Sequence, residues 1–160
     1  MTTRIGFGYD VHAFVPHRPL ILGGITIPHE MGLAGHSDAD AVIHAIVDAL
    51  LGAAALGDIG THFPSNDPRW KNQPSTTFLS YANDLLQQHH WQIGNIDTTI
   101  VAERPKLSPY TLAMREHLAK HLQINLNQIS VKATTTDGLG FTGRREGIAC
   151  YAVALLERTS

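Results

Sequence analysis

Asp10-Val11-His12 follows a strand-like segment, and in extended backbone side chains two apart project to one face, so this carboxylate and imidazole can converge on one ion. Alone, Asp-x-His is also a common hydrogen-bonded turn pair. A third donor comes from Asp40, His44 and Asp48, which fall at i, i+4 and i+8 and form one polar stripe on a segment otherwise rich in Ala, Leu, Ile and Val. The economical reading makes His44 the third ligand and lets Asp48 accept its other ring N–H, while Asp40 only supports the helix start. A carboxylate and two imidazoles leave a coordination position open, which is the pattern of a catalytic zinc acting as a Lewis acid on an oxyanion. A solvated stripe is the bland alternative. The single cysteine, Cys150, argues against a closed thiolate site.

Other residues suit phosphate. Gly35-His36-Ser37 places an imidazole and a hydroxyl beside an expected helix N-terminus, where backbone N–H groups favour an anion. A Ser/His nucleophile pair is the rival there, but adjacent residues rarely aim at each other, and Ser37 is equally explained as a cap. In Gly57-Asp58-Ile59-Gly60-Thr61-His62-Phe63-Pro64 the glycines let backbone approach a ligand and Asp58 can accept from sugar hydroxyls; the same residues read as a glycine C-cap with a capping aspartate. Lys132-Ala133-Thr134-Thr135-Thr136-Asp137 offers hydroxyls for phosphate oxygens and a carboxylate for magnesium. Gly138-Leu139-Gly140-Phe141-Thr142-Gly143 matches G-x-G-x-x-G, yet Arg144-Arg145-Glu146-Gly147 leads into a strand instead of a helix, so it is a glycine-rich turn and no dinucleotide fingerprint.

These groups need elements to hold them. Ile5–Tyr9 reads as a first strand, and Leu20–Leu22 with Ile25–Ile27 flank Gly23-Gly24 as a tight hairpin. Ser37-Asp38 offers an N-cap for a central helix from about Ala39 to Leu56, stopped by Gly57 and apolar enough to be buried on most sides. Amphipathic helices follow over Thr76–His89 and Pro109–Leu122, and strands over Ile93–Ala102, Ile129–Thr134 and Ile148–Leu156. Pro64 to Pro74, with its Ser, Asn, Asp and Pro content, is expected to be a mobile loop over a site. The last strand is apolar on both alternating faces and needs cover on both, which a second subunit can supply; Cys150 within it reads as core. The expected fold class is α/β, an α+β sandwich in which helices pack on one face of a mixed sheet and the other face serves assembly.

Length and composition agree: 160 residues suit one domain, 1–160, and a charged fraction of 16% is low for an isolated small chain. A net charge of −2 without any Lys/Arg run gives no footprint for nucleic acid or an anionic membrane. With one cysteine, no membrane-length apolar run and no signal-like N-terminus, a soluble cytoplasmic chain is expected. Of ten histidines, His17, His29, His89, His90, His117 and His121 sit among polar neighbours and are read as solvated or capping.

Taken together, Asp10-Val11-His12, Gly35-His36-Ser37-Asp38-Ala39-Asp40 with His44, Ala53-Ala54-Ala55-Leu56-Gly57-Asp58-Ile59-Gly60, Pro105-Lys106, Lys132-Ala133-Thr134-Thr135-Thr136 and Gly140-Phe141-Thr142-Gly143-Arg144 resemble, in order and across nearly the whole chain, the 2-C-methyl-D-erythritol 2,4-cyclodiphosphate synthase family. The resemblance implies a homotrimer with active sites between subunits in the non-mevalonate isoprenoid route. It implies intramolecular cyclisation of 4-diphosphocytidyl-2-C-methyl-D-erythritol 2-phosphate with loss of CMP. By position it makes Asp10, His12 and His44 zinc ligands, one ion per subunit, with Asp48 orienting the site and His36 and Thr135 stabilising the transition state. His36, Ser37, Asp58, Ile59 and Gly60 would hold the erythritol phosphate, and Phe63, Pro64, Ser65, Asn66 and Asp67 would form a flexible substrate loop. Ala102 to Ser108, including Pro105, Lys106 and Leu107, with Thr134 and Thr135 would form the cytidine pocket of the neighbouring subunit, and Thr136 would also contact substrate. Asp137 would face Mg2+ or Mn2+ on the diphosphate, and Phe141, Arg144 and Glu146 a central cavity able to hold an isoprenoid diphosphate. Two departures stand out: Asp137 where the family often has glutamate, and Ser108 where it has an apolar residue. The competing functions are a metal-dependent phosphohydrolase, which would activate water, and a non-enzymatic trimeric module whose metal only staples the fold.

Overall fold

A computed structural model describes residues 1–160. The chain runs β1 (Thr3–Pro16), β2 (Leu20–Leu22), β3 (Ile25–Ile27), β4 (Met31–Leu33), α1 (Ala41–Ala53), α2 (Ile59–His62), α3 (Ser75–Gln88), β5 (Trp91–Val101), α4 (Thr111–Leu122), β6 (Ile129–Thr134), α5 (Gly140–Gly143) and β7 (Gly147–Arg158). Five strands form one mixed sheet in the order β4-β1-β7-β5-β6; β7 is antiparallel to β1 and β5, and β5 is parallel to β6. The hairpin β2-β3 stands apart, turned by Gly23 and Gly24, both at positive φ as a two-residue turn demands. The mixed sheet with helices on it is the expected class, and no helix is long and apolar enough to cross a membrane.

Alternation along β1 decides what meets α1. Ile5, Phe7, Tyr9 and Val11 point to one face and remain exposed, while Gly6, Gly8, Asp10 and His12 point to the other, toward α1. A Cβ at Gly6 would run into the carbonyl oxygen of Ala49, and one at Gly8 into that of Ala45. With no side chain on the strand and Ala45, Ala49 and Ala53 along the helix, the two backbones pack nearly in contact. That close approach sets His44 against Asp10 and His12. On the far side of α1 the core closes with α3, through Phe78, Leu79 and Ala82, and α4 covers β6.

The central helix is shorter than its composition suggests. Ala39 holds φ 60, so α1 cannot begin there; Asp40 is the N-cap, in place of Ser37-Asp38, and Ala55 at φ 58 ends the turn before Gly57. Asp40 is fully buried and its carboxylate accepts backbone N–H groups from Ile43 at 3.1 Å, Gly23 at 2.9 Å and Gly24 at 2.7 Å. Burial, and after it the neighbouring Asp38 carboxylate, push its carboxyl up to about 6, against the pull of those three donors. Asp40 therefore belongs to no metal stripe: it ties the hairpin to the helix start. Cys150 is buried in β7, and burial pushes its thiol up, in keeping with a core role.

The outer face of the sheet stays uncovered in one chain. Tyr151 and Val153 of β7 join Ile5, Phe7, Tyr9 and Val11 there, and Tyr151 packs on Phe7 and Tyr9 at ring separations of 6.2 and 5.0 Å. The last strand thus has helices on one side only.

Two substitutions test this arrangement by thermal unfolding at fixed protein concentration. Gly8→Ala is expected to cost ~2 kcal/mol or more, because the methyl meets backbone that cannot yield. Asp40→Ala is expected to cost ~3 kcal/mol, since it strands three buried N–H donors and removes a cap.

Candidate metal centre and ligand cavities

Asp10 and His12 share the inner face of β1, and α1 delivers His44 to the same point. Asp10 Oδ2 lies 2.7 Å from His12 Nε2 and 3.2 Å from His44 Nδ1, and the two ring nitrogens are 3.3 Å apart. A tetrahedral ion with arms of about 2.0–2.1 Å holds its ligands about 3.3 Å apart, so two of the three edges already have zinc dimensions and the third is contracted.

Outer contacts leave these three atoms free to bind a cation. His12 Nδ1 faces the carbonyl oxygen of Ala34 at 2.8 Å, an acceptor only, so its proton sits on Nδ1 and Nε2 presents a lone pair. His44 is fixed through a relay. Ser75 donates its hydroxyl proton to the Asp38 carboxylate, so Ser75 Oγ must accept from His44 Nε2 at 2.8 Å, leaving His44 Nδ1 bare toward the centre. Ser75 N, on Asp38 Oδ2 at 2.9 Å, locks that relay to the start of α3. Asp10 Oδ2 is buried and accepts no well-formed hydrogen bond despite its short contacts. Burial raises the Asp10 carboxyl, and the two imidazoles outweigh it, holding it down at about 2. Burial lowers the pKa of His12, and the Asp10 carboxylate more than reverses this, so the net shift is upward. A charged carboxylate and two neutral imidazoles with outward protons make a site for a divalent ion.

Asp48 does something else than expected. Its carboxylate accepts Ile59 N–H at 2.8 Å, not the His44 ring, and so pins the start of α2 to α1; burial pushes its carboxyl up. The tautomer-fixing role falls to Ser75 and Asp38. Ser75 was invisible as a site residue because it lies 31 positions from His44 with no motif between them.

The metal donors open into a cavity of about 260 Å³, where His12 and His44 are joined by His36, Ser37, Ile59, Gly60, Phe63 and Ser65. Trp70 and Phe78, which no motif marked, complete an aromatic wall: Phe63 packs on Phe78 at 4.4 Å and edge-on to Trp70 at 4.9 Å. Pro64 to Pro74, expected as a loose loop, contains a 3-10 turn at Pro68–Trp70 capped by Asp67, whose carboxylate also pairs with Arg69 at 2.7 Å. The segment is fastened over His36, whose Nε2 lies 3.4 Å from the Asp67 carbonyl and whose own carbonyl accepts Asn72 N–H at 3.0 Å. Pro64 accepts Asp67 N–H through its carbonyl, and the exposed Asn66 makes no side-chain hydrogen bond. Asp58 caps α2 through Oδ1, accepting from Thr61 N at 2.8 Å and Oγ1 at 2.7 Å; Oδ2 has no protein partner.

A second cavity, about 330 Å³, lies where β5 and β6 run out in parallel. Ala102, Pro105, Lys106, Leu107 and Ser108 line it with Thr134 and Thr135, the residues expected together. It shares no lining residue with the metal cavity. Thr136 bonds within its own turn, to the Leu139 carbonyl and Thr142 Oγ1. Asp137, at φ 53, is exposed and accepts Thr135 Oγ1 at 3.4 Å. Phe141 and Arg144 are exposed on the following turn, where Arg144 pairs with Glu146 at 2.7 Å.

Ser75→Ala is expected to weaken zinc affinity roughly 10- to 100-fold, read by competition with a chromogenic chelator, because His44 loses the acceptor that fixes its tautomer. Asp48→Asn should leave zinc affinity within a few fold. Equal losses in the two variants would refute the assignment of the relay.

Comparison with known proteins places these features in one group. Residues 3–157 match the model of the YgbB family. A Clostridium perfringens protein named 2-C-methyl-D-erythritol 2,4-cyclodiphosphate synthase is 58% identical over 153 residues, 96% of this chain and 98% of that one. Among solved structures, the bifunctional IspDF from Campylobacter jejuni superposes with a TM-score of 0.96 at 42% identity over 99% of this chain, which spans 43% of that longer protein. The IspF of Plasmodium falciparum, in complex with CDP, superposes with a TM-score of 0.87 at 37% identity, covering 99% of this chain and 97% of that one.

Proposed function

This chain belongs to the YgbB family, and from that premise we propose that it is an enzyme converting 4-diphosphocytidyl-2-C-methyl-D-erythritol 2-phosphate to 2-C-methyl-D-erythritol 2,4-cyclodiphosphate and CMP, with residues 1–160 acting as one domain. The observation that carries the reading is the convergence of three bare donor atoms on a cavity walled by His36 and Ser37. That places a cation and anion-binding groups side by side, as a phosphoryl transfer needs.

The substrate brings its own nucleophile. An oxygen of the 2-phosphate attacks the β-phosphorus; a new P–O bond closes the ring, the P–O bond toward the α-phosphate breaks, and its electron pair leaves on CMP. The protein's work is to hold the ends in line and stabilise the charge that shifts. His36 and Ser37 bind the erythritol phosphate, and the backbone at Ile59 and Gly60 flanks it on a loop held by Asp48. Phe63, Trp70 and Phe78 keep water from that side, favouring ring closure over hydrolysis. The cytidine sits in the pocket between Ala102 and Ser108, which Thr134 and Thr135 also line. Asp10, His12 and His44 hold zinc, which when bound supplies a positive charge for phosphate oxygens. Asp137 would be the protein contact for an Mg2+ or Mn2+ ion carried by the diphosphate.

Two observations support a homotrimer with its active sites between subunits. The metal cavity and the nucleotide cavity share no lining residue within one chain, which accords with a complete site that draws on two. The uncovered apolar sheet face, Ile5, Phe7, Tyr9, Val11, Tyr151 and Val153, provides the surface for assembly. Phe141 and Arg144, with Glu146, then line the axial cavity, where an isoprenoid diphosphate fits.

Phosphorus NMR of the protein with substrate and magnesium should show cyclic diphosphate and CMP in equal amounts, lost on chelation and recovered with zinc. Linear monophosphates would instead mark a hydrolase, and no turnover under any condition would leave the metal a structural role.

A further inference from the structure

A third cavity, about 470 Å³, is larger than either of the two described above. It lies between the end of β1, the β3-β4 connection and the turn before β7, and it meets the nucleotide cavity along Arg104, Pro105 and Lys106. Its charged lining is one-sided: Arg104, Lys106 and Arg145 against the single carboxylate of Glu30, with His29 tilted against Phe14 at a ring separation of 5.5 Å. The cationic side chains have no partner. Arg69, Lys132 and Arg144 form ion pairs elsewhere, whereas Arg104, Lys106 and Arg145 make neither an ion pair nor a side-chain hydrogen bond. Arg145 also holds φ 62, a conformation that glycine takes freely and a side chain takes at a cost, and no hydrogen bond or ion pair of its guanidinium offsets that cost. Three unpaired cations around a concave surface focus a positive potential, and guanidinium forks match phosphate oxygens.

We propose that this cavity is an oligophosphate site, in which Arg104, Lys106 and Arg145 together bind an anion carrying three or more negative charges. Because it adjoins the nucleotide cavity, two sources share this chemistry: free inorganic oligophosphate, and the phosphate tail of a nucleoside triphosphate whose base occupies the neighbouring pocket. The site does not rest on the cyclase reading, and its test needs no turnover.

Inorganic tripolyphosphate is titrated calorimetrically into the metal-stripped full-length protein at low salt, with CTP in a parallel arm. One tripolyphosphate per chain is expected. Arg145→Gly, which removes the guanidinium at a backbone angle that glycine prefers, should weaken it at least tenfold without lowering the unfolding midpoint or the cyclase rate. Lys120→Ala removes an equal charge from an exposed position on α4 and should change affinity less than twofold. CTP binding tenfold tighter than tripolyphosphate, with the same sensitivity to Arg145→Gly, assigns the site to a nucleotide's tail; equal or weaker CTP binding assigns it to free oligophosphate. Absence of tripolyphosphate binding, or equal losses in Arg145→Gly and Lys120→Ala, would overturn the proposal.

Discussion

The structure turns on the near-contact between the backbones of β1 and α1. Two glycines on the strand and a row of alanines on the helix remove the side chains that ordinarily keep a helix apart from a sheet. Only at that reduced distance can a carboxylate and an imidazole standing on the strand share one point with an imidazole standing on the helix. The same inward face therefore alternates from residues with no side chain, Gly6 and Gly8, to residues that are all function, Asp10 and His12. Packing and chemistry are consecutive stretches of one strand face, and a change in the first is transmitted to the second without any intermediary.

Around that contact, acidic groups that look alike in the sequence divide their labour by what they touch. Asp10 faces the centre, Asp38 steers His44 through Ser75, Asp40 fastens the hairpin and Asp48 secures the loop carrying Ile59 and Gly60. Three of the four bond to backbone N–H groups, so their role is to fix chain segments around a site that only Asp10 enters. The dry interior makes such bonds stringent, since a carboxylate there that lost its donors would be left charged without compensation.

Much of this was legible in the residues. The strand and helix order followed from periodicity and turn chemistry, and the donors Asp10, His12 and His44 from alternation and helical spacing, because those signals are local. The helix start was misplaced because Ser37, Asp38 and Asp40 are all good caps and only the left-handed turn at Ala39 decides among them. Asp48 was given a ring that Ser75 holds, since helical spacing reports which residues share a face but not what approaches from another element. Trp70 and the cationic cavity were missed for the same reason: each is assembled from segments far apart in the chain. The apolar outer face was anticipated from alternation in the last strand, which says that a surface needs cover though not what covers it.

The metal donors are one oxygen and two nitrogens, and the lone thiol is sealed inside β7. Peroxides and disulfides attack thiolate sulfur, so this centre offers them nothing to oxidise. Its vulnerabilities lie elsewhere, in acid, which protonates imidazole and carboxylate, and in competition from stronger chelators. A centre built from these donors has no thiolate for oxidants to attack, and what can empty it of an ion is scarcity of that ion.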